Sequence, residues 1–224
     1  MIIAYYHILL AISILLTLFY IMTWHKHFDV HVTLIFTLMP IAILGNVMTG
    51  HAKSLGEAIL ANKIVYFGGT FLMLMITLAI LNLCAIKIPS WLRSAMFVAS
   101  TLVFLIALTV GHNEWFYRSC DFVIENGAGR LTHKVYGPMH AVYVALILSY
   151  FAIGFAAMLY SAIKKNQVSN KIILLMFIPE LVAVVVFYGA RQIITDKIEL
   201  LPAAYVFAQI MYLIIIHQVC LYDI

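Results

Sequence analysis

The chain has 224 residues, of which 65% are hydrophobic and 10% charged, with a formal net charge of +4 at pH 7; its mean hydropathy is +1.07. A soluble domain carries about 25% charged residues and about half apolar ones, so an ordinary soluble domain, a disordered chain and a disulfide-rich secreted module are all excluded. The apolar residues run in unbroken stretches of about 20, which excludes a barrel of alternating ten-residue strands and leaves an all-α, polytopic helical membrane protein.

Seven spans are predicted in chain order, at about 2–24, 30–49, 58–84, 94–111, 138–163, 172–192 and 203–221. The start, Met-Ile-Ile-Ala-Tyr-Tyr-His, has neither a basic leader nor a small-x-small cleavage site, and so reads as a retained first helix. Most connections are short. One, 112–137, is a long polar loop containing Gly127, Gly129 and three acidic residues. Polar breaks divide the spans without any soluble linker, so residues 1–224 are expected to form a single transmembrane domain.

Loop charges set the expected orientation. With the N-terminus outside, the inner loops hold six basic residues (Lys26, Lys87, Arg93, Lys164, Lys165, Lys171) and the outer loops five (Lys53, Arg118, Arg130, Lys134, Lys197). Lys164, Lys165 and Lys171 form the densest cluster, and seven spans then put the C-terminus in the cytoplasm. Scattered basic residues of this kind do not make a nucleic-acid surface. Cys84, Cys120 and Cys220 show no CxxC spacing, which argues against a disulfide framework or a zinc site.

An ionisable residue inside a span is costly and is a functional-site hypothesis by default. Three stand there: Lys63, Glu180 and Arg191. Glu180 lies near mid-membrane directly after Pro179, which frees the carbonyl of Leu175 and predicts a kink. Arg191, eleven residues on, returns to within about 20° of the same face, with Phe187 on the stripe and Tyr188 bordering it. Tyr205, Gln209 and Tyr212 share one face of the seventh span. Tyr136, His140 and Tyr143 share one face of the fifth. Lys63, Tyr66 and Thr70 open the third span, Asn46 closes the second, and His112, Asn113, Glu114 and Trp115 close the fourth. All of these fall in the outer half under the expected orientation. A cavity there would be lined by aromatic rings and a few hydrogen-bonding groups, the usual make-up of a small-molecule site. Interfacial tyrosine and tryptophan belts, and snorkelling of Lys63 and Arg191, account for the same residues without a ligand. Ala141, Ala145 and Ser149 form a small-xxx-small stripe expected to serve helix packing.

The order of features resembles a known family. Lys63-Ile-Val-Tyr66-Phe-Gly68-Gly-Thr-Phe71 opens the third span, and Thr109-Val-Gly-His112-Asn-Glu-Trp-Phe116-Tyr117 closes the fourth. A polar loop, Tyr136-Gly137-Pro138, Pro179 and a Tyr-Asp-Ile tail follow. Together they resemble the seven-helix N-terminal sensor region of bacterial membrane histidine kinases and diguanylate cyclases. One departure is that Thr109 is followed by Val110 where the family often has Asn. The resemblance implies a multi-pass protein of the bacterial inner membrane, in contact with membrane lipids and dimerising with itself. It also implies that the chain is not itself an enzyme, with kinase or cyclase activity in an output domain after Ile224. A small ligand engaging Glu180, Arg191, Gln209, Tyr205, Lys63 and Tyr66 would shift the seventh helix about the Pro179 kink.

Other chemistries find less support. No HExxH, Gly-x-Ser-x-Gly or phosphate-cradling loop occurs. The seventh span contains no lysine, which excludes a retinal Schiff base. His7, His112 and His140 sit near the outer end and leave a bis-His haem site open as an alternative, although no cofactor or metal is expected. A transporter is the other alternative, resting on Pro40 and Pro179 as paired helix breaks.

Overall fold

A computed structural model describes residues 2–23, 30–164, 170–189 and 198–222, without the side chains of Tyr188 and 219–222. The elements are α1 (Ile2–Thr23), α2 (Val30–His51), α3 (Leu55–Leu83), α4 (Ser90–Ala107), β1 (Tyr117–Glu125), β2 (Ala128–Tyr136), α5 (Pro138–Lys164), α6 (Asn170–Val184) and α7 (Leu201–Tyr222). All seven helical segments are long and apolar enough to cross a membrane. α3 is the central, most enclosed helix and packs against α2, α4 and α5; α6 lies between α5 and α7, and α7 returns to α1 and α2.

Helix boundaries follow local chemistry that hydropathy alone does not register. α3 begins at Leu55, three residues earlier than expected, because Ser54 caps it: its hydroxyl accepts from the Glu57 amide at 3.3 Å. The Glu57 carboxylate reaches back to accept from the Lys53 amide at 2.7 Å, much as in a capping box. α4 starts immediately after Pro89 and stops at Ala107, so the expected last turn at 108–111 is instead part of a series of turns over 108–112, with φ of +84° at Gly111.

The segment read as a polar loop is a β-hairpin. β1 and β2 pair antiparallel, with Glu125 opposite Ala128, Phe122 opposite Leu131 and Tyr117 opposite Tyr136. Asn126 and Gly127 form the two-residue turn with φ of +53° and +76°, a left-handed pair that matches the twist of the strands. The hairpin lies down on the helices because Gly129 has no side chain. A Cβ there would stand 2.7 Å from the carbonyl oxygens of Thr49 and Ala52. Arg130 with Glu125 at 3.7 Å, and His133 with Asp121 at 3.1 Å, bridge the strands.

Close helix contact uses different small residues from those expected. Ala141, Ala145 and Ser149 are all exposed, so their stripe packs no helix of this chain. α2 and α3 meet instead where Gly68 lies on Ala42 and Gly45 lies on the Ala61–Val65 backbone; a Cβ on Gly45 would stand 2.8 Å from the Val65 nitrogen. Backbones can approach this closely only where side chains are absent. α6 passes through Pro179 and then widens into a π-helical segment, Val185–Gly189, the kind of local irregularity that recurs at functional sites.

Candidate functional site

Two side-chain assemblies lie inside the bundle. The first is an aromatic knot under the hairpin, at the end where α2 stops and α3 starts. Tyr66 of α3 is its hub: its ring meets Phe116 at 4.9 Å and Tyr143 at 5.0 Å between centroids, both edge-on. The hydroxyls of Tyr66 and Tyr117 are 2.6 Å apart, and Asn62 Nδ2 donates to the Tyr117 hydroxyl at 3.3 Å. His140 stacks on Tyr136 at 3.8 Å and meets Phe116 at 5.2 Å. Phe187, in the π-helical segment, reaches Tyr143 at 6.5 Å. Edge-to-face contacts of this kind add about 0.5–1.5 kcal/mol each beyond area burial.

The second assembly is a polar seam deeper in the bundle. Gln209 of α7 is fully buried, and its Nε2 donates to the Ser13 carbonyl at 3.3 Å and to Thr17 Oγ1 at 3.1 Å. Thr17 faces the carbonyls of Ser13 and Phe36 at 2.9 and 2.7 Å, which joins α1, α2 and α7. Glu180 of α6 is 3% exposed, and the Tyr212 hydroxyl donates to it across a long 3.5 Å. Ser13 Oγ, Thr70 Oγ1 and Gln209 Oε1 are among the buried atoms that have no hydrogen-bond partner among the described residues. The residue before Thr70 is Gly69, where an added Cβ would sit 3.2 Å from the Tyr143 hydroxyl and 3.9 Å from that of Tyr205. Gly69 of α3 is thus approached by the hydroxyls of Tyr143, from the knot, and of Tyr205, one turn before Gln209 on α7. At the opposite end a separate cavity of about 620 Å³ is lined by His31, Asn82, Lys87 and Arg93 among others.

Residues 8–224 match the family described as the N-terminal 7TM region of histidine kinase. The chain belongs to that family. It is a multi-pass membrane sensor region, and the matched region is the sensory part of such kinases rather than their catalytic part. No curated protein and no solved structure matches it.

The sensor region gathers only part of the expected site. Tyr66, Tyr143 and His140 enter the knot, while Tyr205, Gln209 and Glu180 enter or border the seam. Lys63 is half-buried, and the neighbouring Asn62 is the residue that reaches Tyr117. Asn46 is buried but its amide donates back to Ala42 of its own helix at 3.1 Å. His112, Asn113 and Trp115 are exposed on the turn before β1, where the Asn113 carboxamide accepts from the Trp115 amide. Arg191 and the side chain of Tyr188 lie outside the described residues. Of the histidines considered for haem, His7 faces His51, His140 lies on Tyr136 and His112 is exposed. No group of three or more potential metal ligands occurs among the described residues.

Five participants are not among the residues singled out from sequence: Asn62 on α3, Phe116 and Tyr117 on the hairpin side, Ser13 and Thr17 on α1. The two pairs nevertheless carry a signal. The Asn-Gly turn fixes a register that places Tyr117 opposite Tyr136, and two hydroxyls four residues apart in an apolar span mark an inward face.

Proposed function

We propose that this sensor region binds a small polar ligand between α1, α3, α6 and α7, beneath the hairpin, and passes the binding event along α6 and α7 to an output domain. The proposed orientation has the N-terminus and the hairpin outside the inner membrane and the C-terminus in the cytoplasm. In this reading Lys63 flanks the entrance. The supporting observation is the set of partnerless buried atoms on Ser13, Thr70 and Gln209. Inside a membrane an unsatisfied polar group costs several kcal/mol, so a ligand carrying both donors and acceptors gains from meeting them. The Tyr66, Tyr143 and Tyr205 rings would cover its apolar side. The long Glu180–Tyr212 contact and the π-helical segment are the parts of α6 and α7 with the least to lose on rearrangement. A ligand shifts such an equilibrium only by its differential affinity for the two states.

The test is a thermal-stabilisation screen of small polar compounds on the purified chain, repeated on Gln209→Leu and Tyr205→Ala. A compound that stabilises the wild type should lose most of its effect in both variants. Equal stabilisation of all three proteins would overturn the site.

A further inference from the structure

His7 of α1 and His51 of α2 meet at the hairpin end of the bundle, outside both assemblies described above. Their Nε2 atoms are 3.3 Å apart, their ring planes are nearly perpendicular at 79°, and both side chains are exposed. His7 Nδ1 lies 2.9 Å from the carbonyl oxygen of Ile3. A carbonyl oxygen only accepts, so Nδ1 carries the proton and Nε2 of a neutral His7 presents a bare lone pair towards His51. This is the arrangement in which a metal-bound imidazole is held: the distal ring nitrogen donates to a backbone carbonyl, which sets tautomer and orientation.

The separation itself discriminates between ions. Zinc binds imidazole nitrogen at about 2.0–2.1 Å in tetrahedral geometry, which puts two ligand nitrogens about 3.3–3.4 Å apart. Cis positions of a square-planar ion would bring them to about 2.8–3.0 Å at similar bond lengths. Oxygen-seeking cations such as magnesium and calcium do not use imidazole pairs. The supports on either side are close-packed: an added Cβ on Gly50, next to His51, would lie 3.5 Å from the Ile3 side chain and 3.8 Å from the Tyr6 ring. The Tyr6 hydroxyl also accepts from the Glu199 amide at 3.0 Å, tying the start of α1 to the approach to α7.

We propose that His7 and His51 form a two-imidazole site for a zinc-like divalent transition metal, with water completing the coordination shell. Metal at this site clips α1 to α2 beside the resting place of the hairpin on Thr49 and Ala52. The proposal does not depend on the ligand site above, because it uses none of those residues.

The test is zinc titration of the purified full chain against a chromophoric chelator, on wild type, His7→Ala, His51→Gln and the exposed control His112→Ala. The expected result is one zinc per chain in the wild type and the control, with affinity lower by roughly 10- to 100-fold in either pair variant, at least the penalty of losing an outer-shell partner. Magnesium should have no effect at any concentration that leaves zinc bound. Cobalt(II) absorption supplies a reading independent of affinity: the intense visible d–d bands of a tetrahedral site in the wild type, lost in each pair variant. Zinc binding unchanged in His7→Ala and His51→Gln, or the weak bands of octahedral cobalt in the wild type, would overturn it.

Discussion

The knot and the seam occupy one bundle, yet they treat polar atoms in opposite ways. In the knot, the Tyr66, Tyr117 and Asn62 groups satisfy one another within a shell of edge-on rings. In the seam, Gln209 uses its nitrogen and leaves its oxygen without a partner among the described residues, and Ser13 and Thr70 do the same with their hydroxyls. A fully satisfied buried network makes one arrangement rigid, whereas a partly satisfied one is costly and open to anything that completes it. Under the proposed function, anchoring falls to the aromatic end and responsiveness to the polar interior.

The largest effect should come from removing the hub of the knot. Tyr66→Ala deletes a buried ring that touches Phe116 and Tyr143, and should cost about 3–5 kcal/mol, within the range for aromatic truncations in cores; unfolding in mixed micelles measures it. A loss well under 1 kcal/mol would show that the hairpin, not the ring, holds that end together. Tyr66→Phe keeps the ring and removes one hydroxyl, so it should cost about 1 kcal/mol. Gln209→Leu should cost still less, about 0.6 kcal/mol, the average for hydrogen bonds between membrane helices, while abolishing the stabilisation given by any ligand of the seam. If Gln209→Leu instead destabilises the protein as much as Tyr66→Ala, the assigned roles are reversed.

The smallest effect touches stability not at all. Burial pushes the Cys120 thiol up from its ordinary value, the nearby Asp121 carboxylate pushes the same way, and Lys134 partly offsets them. The thiolate is the reactive form. Alkylation should therefore be slow near neutrality and accelerate about tenfold per pH unit while the thiol is mostly protonated. In a Cys84→Ser, Cys220→Ser background, an impermeant maleimide should label Cys120 on intact spheroplasts if the hairpin faces outward. Tyr66→Ala should raise the labelling rate by loosening the hairpin. A pH-independent rate would mean that reagent access, rather than ionisation, limits the reaction.

Much of the architecture was legible in the residues. Long apolar runs fix the number of crossings, and all seven observed starts fall within four residues of the expected ones, because no soluble alternative can bury such runs. Hydropathy could not resolve the ends, which depend on single caps such as Ser54 and on turn formers such as Gly111. The hairpin was hidden because Arg118, Asp121 and Lys134 lowered its hydropathy, although Asn126-Gly127 carried the signal. The site was half legible. Tyrosines and Gln209 at helical spacing show which faces they share but not which faces meet, so Asn46 and Asn62 exchanged apparent importance. Contacts between helices distant in sequence, such as Gln209 with Ser13, had no local signature at all.

The glycine contacts between α2 and α3 have a mechanical corollary. With Gly68 seated on Ala42 and Gly45 on the Ala61–Val65 backbone, there is no side-chain layer through which those two helices can slide or roll. They form a stator, and any stroke that the proposed function requires falls to the helices arranged around it. α7 is held to α6 by the long Glu180–Tyr212 contact and by Lys171 with Gln218 at 3.2 Å, and to α1 by an amide whose oxygen has no partner among the described residues; in the proposed function it is the piston.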